Sequence, residues 1–136
     1  MVIDHAQSVT LILDRLPRFE PALQANRRRL SLAPLGACAD LSAFADWILE
    51  LTCDPAANEP CIREAFALIE TFIALGDDEV KTAATVSCLE SVFNILGQTA
   101  LSSTYAVFLG PLSRDYIRSW DDFSGLRTPG LWEGAQ

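Results

Sequence analysis

The chain of 136 residues is long enough to bury the core of one domain. Half of its residues are hydrophobic and 21% are charged, which is the composition of a globular protein rather than a disordered one. The formal net charge of -8 argues against direct binding of nucleic acid, because a phosphate backbone requires a basic surface.

The negative charge is concentrated in the middle of the sequence. Residues 38–90 contain eleven Asp and Glu residues against two basic ones, a local formal charge of -9, whereas residues 1–37 carry +2 and residues 91–136 carry -1. Complementary electrostatic potentials accelerate association and select partners. The distribution therefore favours a surface that binds something basic.

Hydrophobic residues recur at helical spacing along nearly the whole chain, and no segment has the alternation of a strand. Asp4 and Gln7 have the spacing of a capping box for a first helix, which Pro17 ends. A second helix is predicted from about Pro21 to Leu30, because proline suits the first turn, and a loop over residues 31–39 follows it.

The centre of the chain is predicted to contain an antiparallel helical hairpin. Asp40 is predicted to be the N-cap of a third helix. The next helix is predicted to end at Gly76, and Asp77 to cap the one that follows, so that almost no loop separates them. The apolar stripe predicted for the second hairpin helix consists of Val86, Leu89, Phe93 and Leu96.

The remainder is predicted to be helical as far as a coil tail. A short helix is expected from about Thr104 to Leu109, then a last helix capped by Ser113, with Leu131 of the tail packed on the core. The sequence thus predicts an all-α fold, a compact single-domain bundle of about six to seven helices. Residues 1–123 form the helical domain and residues 124–136 the coil tail.

No membrane association is expected. The N-terminus lacks the basic start of a signal peptide, since Asp4 falls there and Asp14 interrupts the apolar stretch. The uncharged stretch 91–113 contains Gly97 and Pro111, which break the continuous apolar run that a membrane span requires. A soluble, cytoplasmic protein is predicted.

No motif predicts catalysis, so the protein is predicted not to be an enzyme and to use no cofactor. His5 is the only histidine, and no metal site is expected. The basic run Arg27–Arg29 is interpreted as a solvated helix end. The cysteines lack C-x-x-C spacing and are interpreted as buried thiols, with a disulfide framework as the lesser alternative: Cys38, Cys53, Cys61 and Cys88.

Glu70 and Glu90 border the buried faces of the two hairpin helices. They lie about six and thirteen residues from the turn, so at ~1.5 Å per residue their axial offset is on the order of 10 Å, too far for a shared proton. They also lack the Glu-x-x-His pattern of a di-iron bundle. We expect them to bond to backbone or to a neighbouring arginine, with partner contact as the alternative.

Acidic residues at the hairpin tip suit both helix capping and partner binding. The tip lies in the most negative part of the chain, which contains more negative charge than capping requires. The predicted partner-binding residues are Asp77, Asp78 and Glu79 of the exposed tip, with Glu70, Asp46 and Glu50 as secondary contacts.

Four motifs between Ile62 and Phe123 carry a family resemblance: Phe66–Glu70, Gly76–Val80, Cys88–Glu90 and Leu109–Arg114. On these motifs the chain resembles a family of small, uncharacterised, all-helical bacterial proteins. Its members resemble immunity proteins encoded beside polymorphic or contact-dependent toxins. The resemblance covers a little under half of the chain and implies a helical fold and a toxin partner, but no active site.

The leading hypothesis is an immunity (antitoxin) protein that binds and neutralises a cognate basic toxin domain. Such a toxin would act on nucleic acid, and binding would occlude its active site. The alternative is a structural or adaptor subunit that self-associates through an apolar helix face, which leaves a homodimer open. Its candidate aromatic anchors are Trp47, Tyr105, Phe108 and Trp120, although core packing is their commoner use.

Overall fold

The computed structural model describes residues 2–30, 36–97, 99 and 101–132, with the backbone alone for Leu101, and helices account for 80% of these described residues. The α-helices are α1 (His5–Arg15), α2 (Glu20–Arg29), α3 (Ala37–Leu51), α4 (Pro55–Leu75), α5 (Asp78–Thr82), α6 (Glu90–Leu96), α7 (Leu101–Ala106) and α8 (Pro111–Ser124). A 3-10 turn, Pro17–Phe19, precedes α2, and a π-helical segment, Ala83–Leu89, joins α5 to α6. Because α5, the π-helical segment and α6 are continuous, they count as one helix, which we call the rod. The described residues then form seven helices without strands, which confirms the predicted all-α fold.

Several helix ends follow the predicted capping residues. The Asp4 carboxylate accepts the Gln7 backbone N–H at 2.8 Å, and the Gln7 side chain accepts the Asp4 N–H at 2.9 Å, which confirms the capping box of α1. The α4 helix ends at Gly76. Asp77 then caps α5 by accepting the Val80 N–H at 2.9 Å. Both ends of the turn within the hairpin are therefore where the sequence predicted them.

The core lies between the hairpin and α3. Phe66 of α4 and Phe93 of α6 pack with ring centroids 6.1 Å apart, so the two arms of the hairpin run antiparallel. A second aromatic cluster joins the 3-10 turn to α3, with Phe19 at 5.2 Å from Phe44 and 5.5 Å from Trp47 between ring centroids. Full burial of such a side chain stabilises a fold by about 2 kcal/mol.

The π-helical segment changes which residues of the rod face the core. Leu89, Phe93 and Leu96 are buried as predicted, but Val86 is 49% exposed, so its assignment to the stripe was wrong. A π-helical hydrogen bond spans five residues instead of four and rotates the preceding turn relative to the following one. The prediction assumed an uninterrupted period of 3.6 residues.

Three boundary predictions were also wrong. The third helix begins at Ala37 rather than after Asp40, and the short helix is Leu101–Ala106. The last helix begins at Pro111, where proline occupies the first helical position, so Ser113 lies inside the first turn instead of capping it. Residues 31–35 of the predicted loop lie outside the described residues.

The cysteines differ in their exposure to solvent. Cys88 is buried and Cys61 is half-buried, but Cys38 and Cys53 are exposed, so the interpretation as buried thiols was wrong for the last two. Leu131 of the tail is buried, as predicted. Among the residues that the structure describes, no helix combines the length and the apolar character needed to cross a membrane.

Candidate functional site

The acidic hairpin tip is largely occupied by helix capping. Asp77 caps α5, as described above, and its backbone N–H donates to the Ile3 carbonyl at 2.8 Å. The Glu79 carboxylate accepts the N–H of Ala37, the first residue of α3, at 2.9 Å. Asp78 is exposed and makes no side-chain hydrogen bond or ion pair within the described ranges. Of the three tip carboxylates, only Asp78 is thus uncommitted to the fold.

Glu70 binds the beginning of α8. Its carboxylate accepts the backbone N–H groups of Leu112 and Ser113, each at 2.9 Å, and the Ser113 hydroxyl at 2.8 Å. The predicted bonding of Glu70 to backbone is confirmed. Pro111 has no N–H, and the N–H groups of Leu112 and Ser113 lack an intrahelical partner in this first turn, where the helix dipole also favours a carboxylate.

Glu90 also binds α8, at a different point. The Tyr116 hydroxyl donates to the Glu90 carboxylate, so the predicted bonding to backbone or to an arginine was wrong for Glu90. Burial, followed by this hydrogen bond and the negative charge of Glu90, raises the pKa of Tyr116 to about 12. Glu70 and Glu90 therefore hold the same helix, and neither shares a proton with the other.

Asp46 and Glu50 lie in a different environment. They are exposed, four residues apart on α3, and border a hollow of about 280 Å³ between α2 and α3. We call this hollow the acidic groove. Alanine side chains of both helices and Trp47 supply its apolar part, and Asn26 and Arg29 complete its lining.

The acidic groove carries negative charge that the fold does not neutralise. Neither Asp46 nor Glu50 makes a side-chain hydrogen bond or ion pair with any described residue. Arg29 donates instead to the Asn26 side chain at 2.6 Å. Like charges one helical turn apart destabilise a helix by about 0.2–0.5 kcal/mol, so this pair opposes folding slightly. Of the six predicted contact residues, Asp46, Glu50 and Asp78 thus have carboxylates available to a partner.

The sequence did not predict an ionic cluster that surrounds the buried carboxylate of Asp40. Asp40 is 1% exposed and accepts Arg27 at 3.1 Å and 2.8 Å, and its Oδ2 lies 2.6 Å from His5 Nε2. Burial alone would raise the pKa of Asp40, but the hydrogen bonds and charges of Arg27 and His5 together lower it. The N-cap interpretation of Asp40 was wrong, and so was the solvated interpretation for Arg27.

This cluster ties α1, α2 and α3 together. One feature of the sequence indicates that Asp40 is buried. Asp40, Phe44 and Trp47 share helical spacing, so in a helix that begins at Ala37 the carboxylate lies on the apolar face. Within the described part of the chain, no three His, Cys, Asp or Glu side chains are grouped as a metal site requires.

The family model described as Domain of unknown function (DUF7674) matches residues 9–125. The chain belongs to the DUF7674 family. No curated protein and no solved structure matches this chain significantly. The DUF7674 match spans the acidic groove, Glu70, Glu90 and α8, and it assigns no activity to them.

Proposed function

We propose that the protein binds a basic protein partner through the acidic groove. One observation carries this proposal: Asp46 and Glu50 lie one turn apart at the groove, exposed and in no ion pair with a described residue, since Arg29 of the same groove bonds to Asn26 instead. The repulsion between these two carboxylates costs stability in the free protein. A positively charged side chain of a partner would relieve it, which favours binding at the groove.

The groove suits a long basic side chain. The aliphatic stem of Lys or Arg packs on alanine and tryptophan surface while its charged end stays at the rim. An arginine guanidinium can donate in parallel to carboxylate oxygens, which makes it the better match. Asp78 is the proposed second contact. The secondary contacts that we propose are Asp77, Glu79 and Glu70. They rank below the others because their carboxylates already accept N–H groups at helix N-termini and are less available to a partner.

The more specific form of the proposal is an immunity protein. Its partner would be a basic toxin domain that acts on nucleic acid, whose active site is occluded by the acidic surface. The support is the charge of -9 over residues 38–90 and the family resemblance of the four motifs. Inhibitors of this type rely strongly on pairs of opposite charge.

Self-association through an apolar helix face is the second candidate. One observation favours it: a hollow of about 280 Å³ along α1 is lined mainly by apolar atoms, with Ile3, Ala6 and Leu11 among its residues. Of the proposed aromatic anchors, Trp47 and Tyr105 are buried in the core. High salt separates the candidates, because an apolar contact persists where charge pairs are screened.

The test is capture of partners from the native lysate by the tagged protein, read by mass spectrometry. The variant Asp46→Lys with Glu50→Lys is compared with Asp14→Lys with Glu20→Lys, which makes the same charge change at exposed acids away from the groove. We expect one stoichiometric basic protein, retained by the control and lost from the groove variant. Capture that is equal for both variants would refute the groove as the binding site.

A further inference from the structure

Three adjoining hollows meet at the half-buried side chain of Trp120 on α8. Their volumes are about 240, 310 and 410 Å³. The first extends to Leu126, the second to Val86 of the π-helical segment and the third to Phe123. Together they form one concave surface, which we call the Trp120 depression.

Exposed apolar side chains surround this depression. Phe123 is 92% exposed, and Val86 and Leu126 are about half exposed. Val86 points outward because of the π-helical segment, which replaces regular α-helix where the rod borders Trp120. Clustered apolar surface of this kind marks sites of association, with a half-buried tryptophan as the typical centre of binding energy.

The depression also contains one carboxylate without a cation. Glu90 lines two of the three hollows and accepts the Tyr116 hydroxyl, and it pairs with no cation among the described residues. The other charged side chain of the lining, Arg127, lies 3.2 Å from Asp122 and stacks on Trp132. Because Arg127 is already paired, Glu90 is the charge of the lining that remains for a ligand to neutralise.

We propose that the Trp120 depression binds an apolar segment of a second protein that carries a Lys or Arg opposite Glu90. The charges argue against a second copy of this chain. A two-fold contact would bring Glu90 of one copy to the same surface of the other, and each chain has a formal net charge of -8. The inference is independent of the acidic groove, since α8, α6, the π-helical segment and residues 126–129 form the depression, whereas α2 and α3 form the groove.

The test uses a phage-displayed library of random peptides of about twelve residues, selected on the wild-type protein and counter-selected on Phe123→Ser. Phe123 is almost fully exposed, so this change leaves the core intact. We expect enriched peptides that combine aromatic or aliphatic residues with Lys or Arg. The synthetic peptide should bind Phe123→Ser at least about tenfold more weakly and Glu90→Gln about fivefold more weakly, on the scale of one rim contact or charge pair.

Two controls isolate the depression. Val107→Ser removes an exposed apolar side chain outside it, and Asp46→Lys with Glu50→Lys alters only the acidic groove. Both should leave the affinity of the peptide unchanged, and loss of binding in the groove variant would refute the independence of the two sites. Three results would overturn the proposal: no peptide enriched against Phe123→Ser, enriched peptides without basic residues, or a wild-type dimer that Phe123→Ser dissociates.

Discussion

Glu70 of α4 accepts both the backbone N–H and the hydroxyl of Ser113, at 2.9 and 2.8 Å. The N-cap position of α8 is Gly110, which has no side chain to perform this role. A carboxylate from another helix therefore satisfies the first turn of α8 and fixes its position. A Cβ at residue 110 would collide with the carboxyl group of Glu70, so glycine leaves the room that this contact needs.

Removal of this carboxylate should destabilise the protein. We expect Glu70→Ala to lower the free energy of unfolding by about 2 kcal/mol, because it leaves two backbone donors and a hydroxyl without their acceptor. Urea unfolding monitored by circular dichroism measures the change. Glu64→Ala on the same helix is the control, since its exposed pair with Arg15 should contribute less than about 1 kcal/mol. Equal losses in both variants would contradict the capping role.

The Asp40 cluster should make stability depend on pH. The pKa of Asp40 is lowered in the folded protein, so the stabilisation is complete above the ordinary value of about 4 and is lost as the pH falls through the folded value. We expect wild type to exceed Asp40→Asn by about 2 kcal/mol at pH 7, because the buried carboxylate loses its charged hydrogen bonds to the partly exposed Arg27 and His5. The difference should shrink below about pH 4.

Urea unfolding of both proteins between neutral and acidic pH checks this prediction. Glu59→Gln is the matched control, because the Glu59–Arg63 pair is exposed and its loss should change stability little at any pH. Parallel curves for wild type and Asp40→Asn over the whole range would rule out the assigned ion pair.

The two tyrosines should respond oppositely to loss of the hydroxyl. Tyr105 is 1% exposed, and its hydroxyl has no hydrogen-bond partner within the described residues, so Tyr105→Phe should be neutral or stabilising by up to about 1 kcal/mol. Tyr116 donates to Glu90, so Tyr116→Phe should cost about 1–2 kcal/mol. Thermal unfolding of the pair measures both effects, and a destabilised Tyr105→Phe would reveal an unseen partner.

Asp121 should control the attachment of the tail. It is buried and accepts the Thr128 N–H at 2.7 Å, the Thr128 hydroxyl at 2.8 Å and Trp132 Nε1 at 2.8 Å. Asp121→Ala should release the segment and speed tryptic cleavage at Arg127 by at least about tenfold, since even one lost charged hydrogen bond costs about 1.5 kcal/mol or more. Asp122→Ala, which removes an exposed pair with Arg127, is the control. Unchanged cleavage in Asp121→Ala would show that other contacts hold the tail.

Local signals predicted the fold better than the site. The capping box at Asp4 and the boundary at Gly76 and Asp77 depend on neighbours within a few residues, and both were confirmed. The position of Val86 failed because a π-helical segment leaves no mark in hydrophobic spacing. Tertiary partners are equally invisible in sequence: nothing local shows that Arg27 reaches Asp40.

The candidate site was predicted in part. Asp46 and Glu50 were named from charge alone, but the sequence ranked the hairpin tip above them. The tip was favoured because acids at a turn are expected to be exposed, and the structure shows that Asp77 and Glu79 cap helices. Only packing distinguishes a carboxylate used by the fold from one available to a partner.

The central claim is tested most directly by calorimetric titration of the captured partner with wild type and with Asp46→Asn plus Glu50→Gln, at low and high salt. These substitutions remove the charges and keep the shape of the groove. We predict that the neutral variant binds about tenfold to a hundredfold more weakly at low salt and depends less on salt than wild type. Equal affinity and equal salt dependence for the two proteins would contradict the proposal that the acidic groove binds a basic partner.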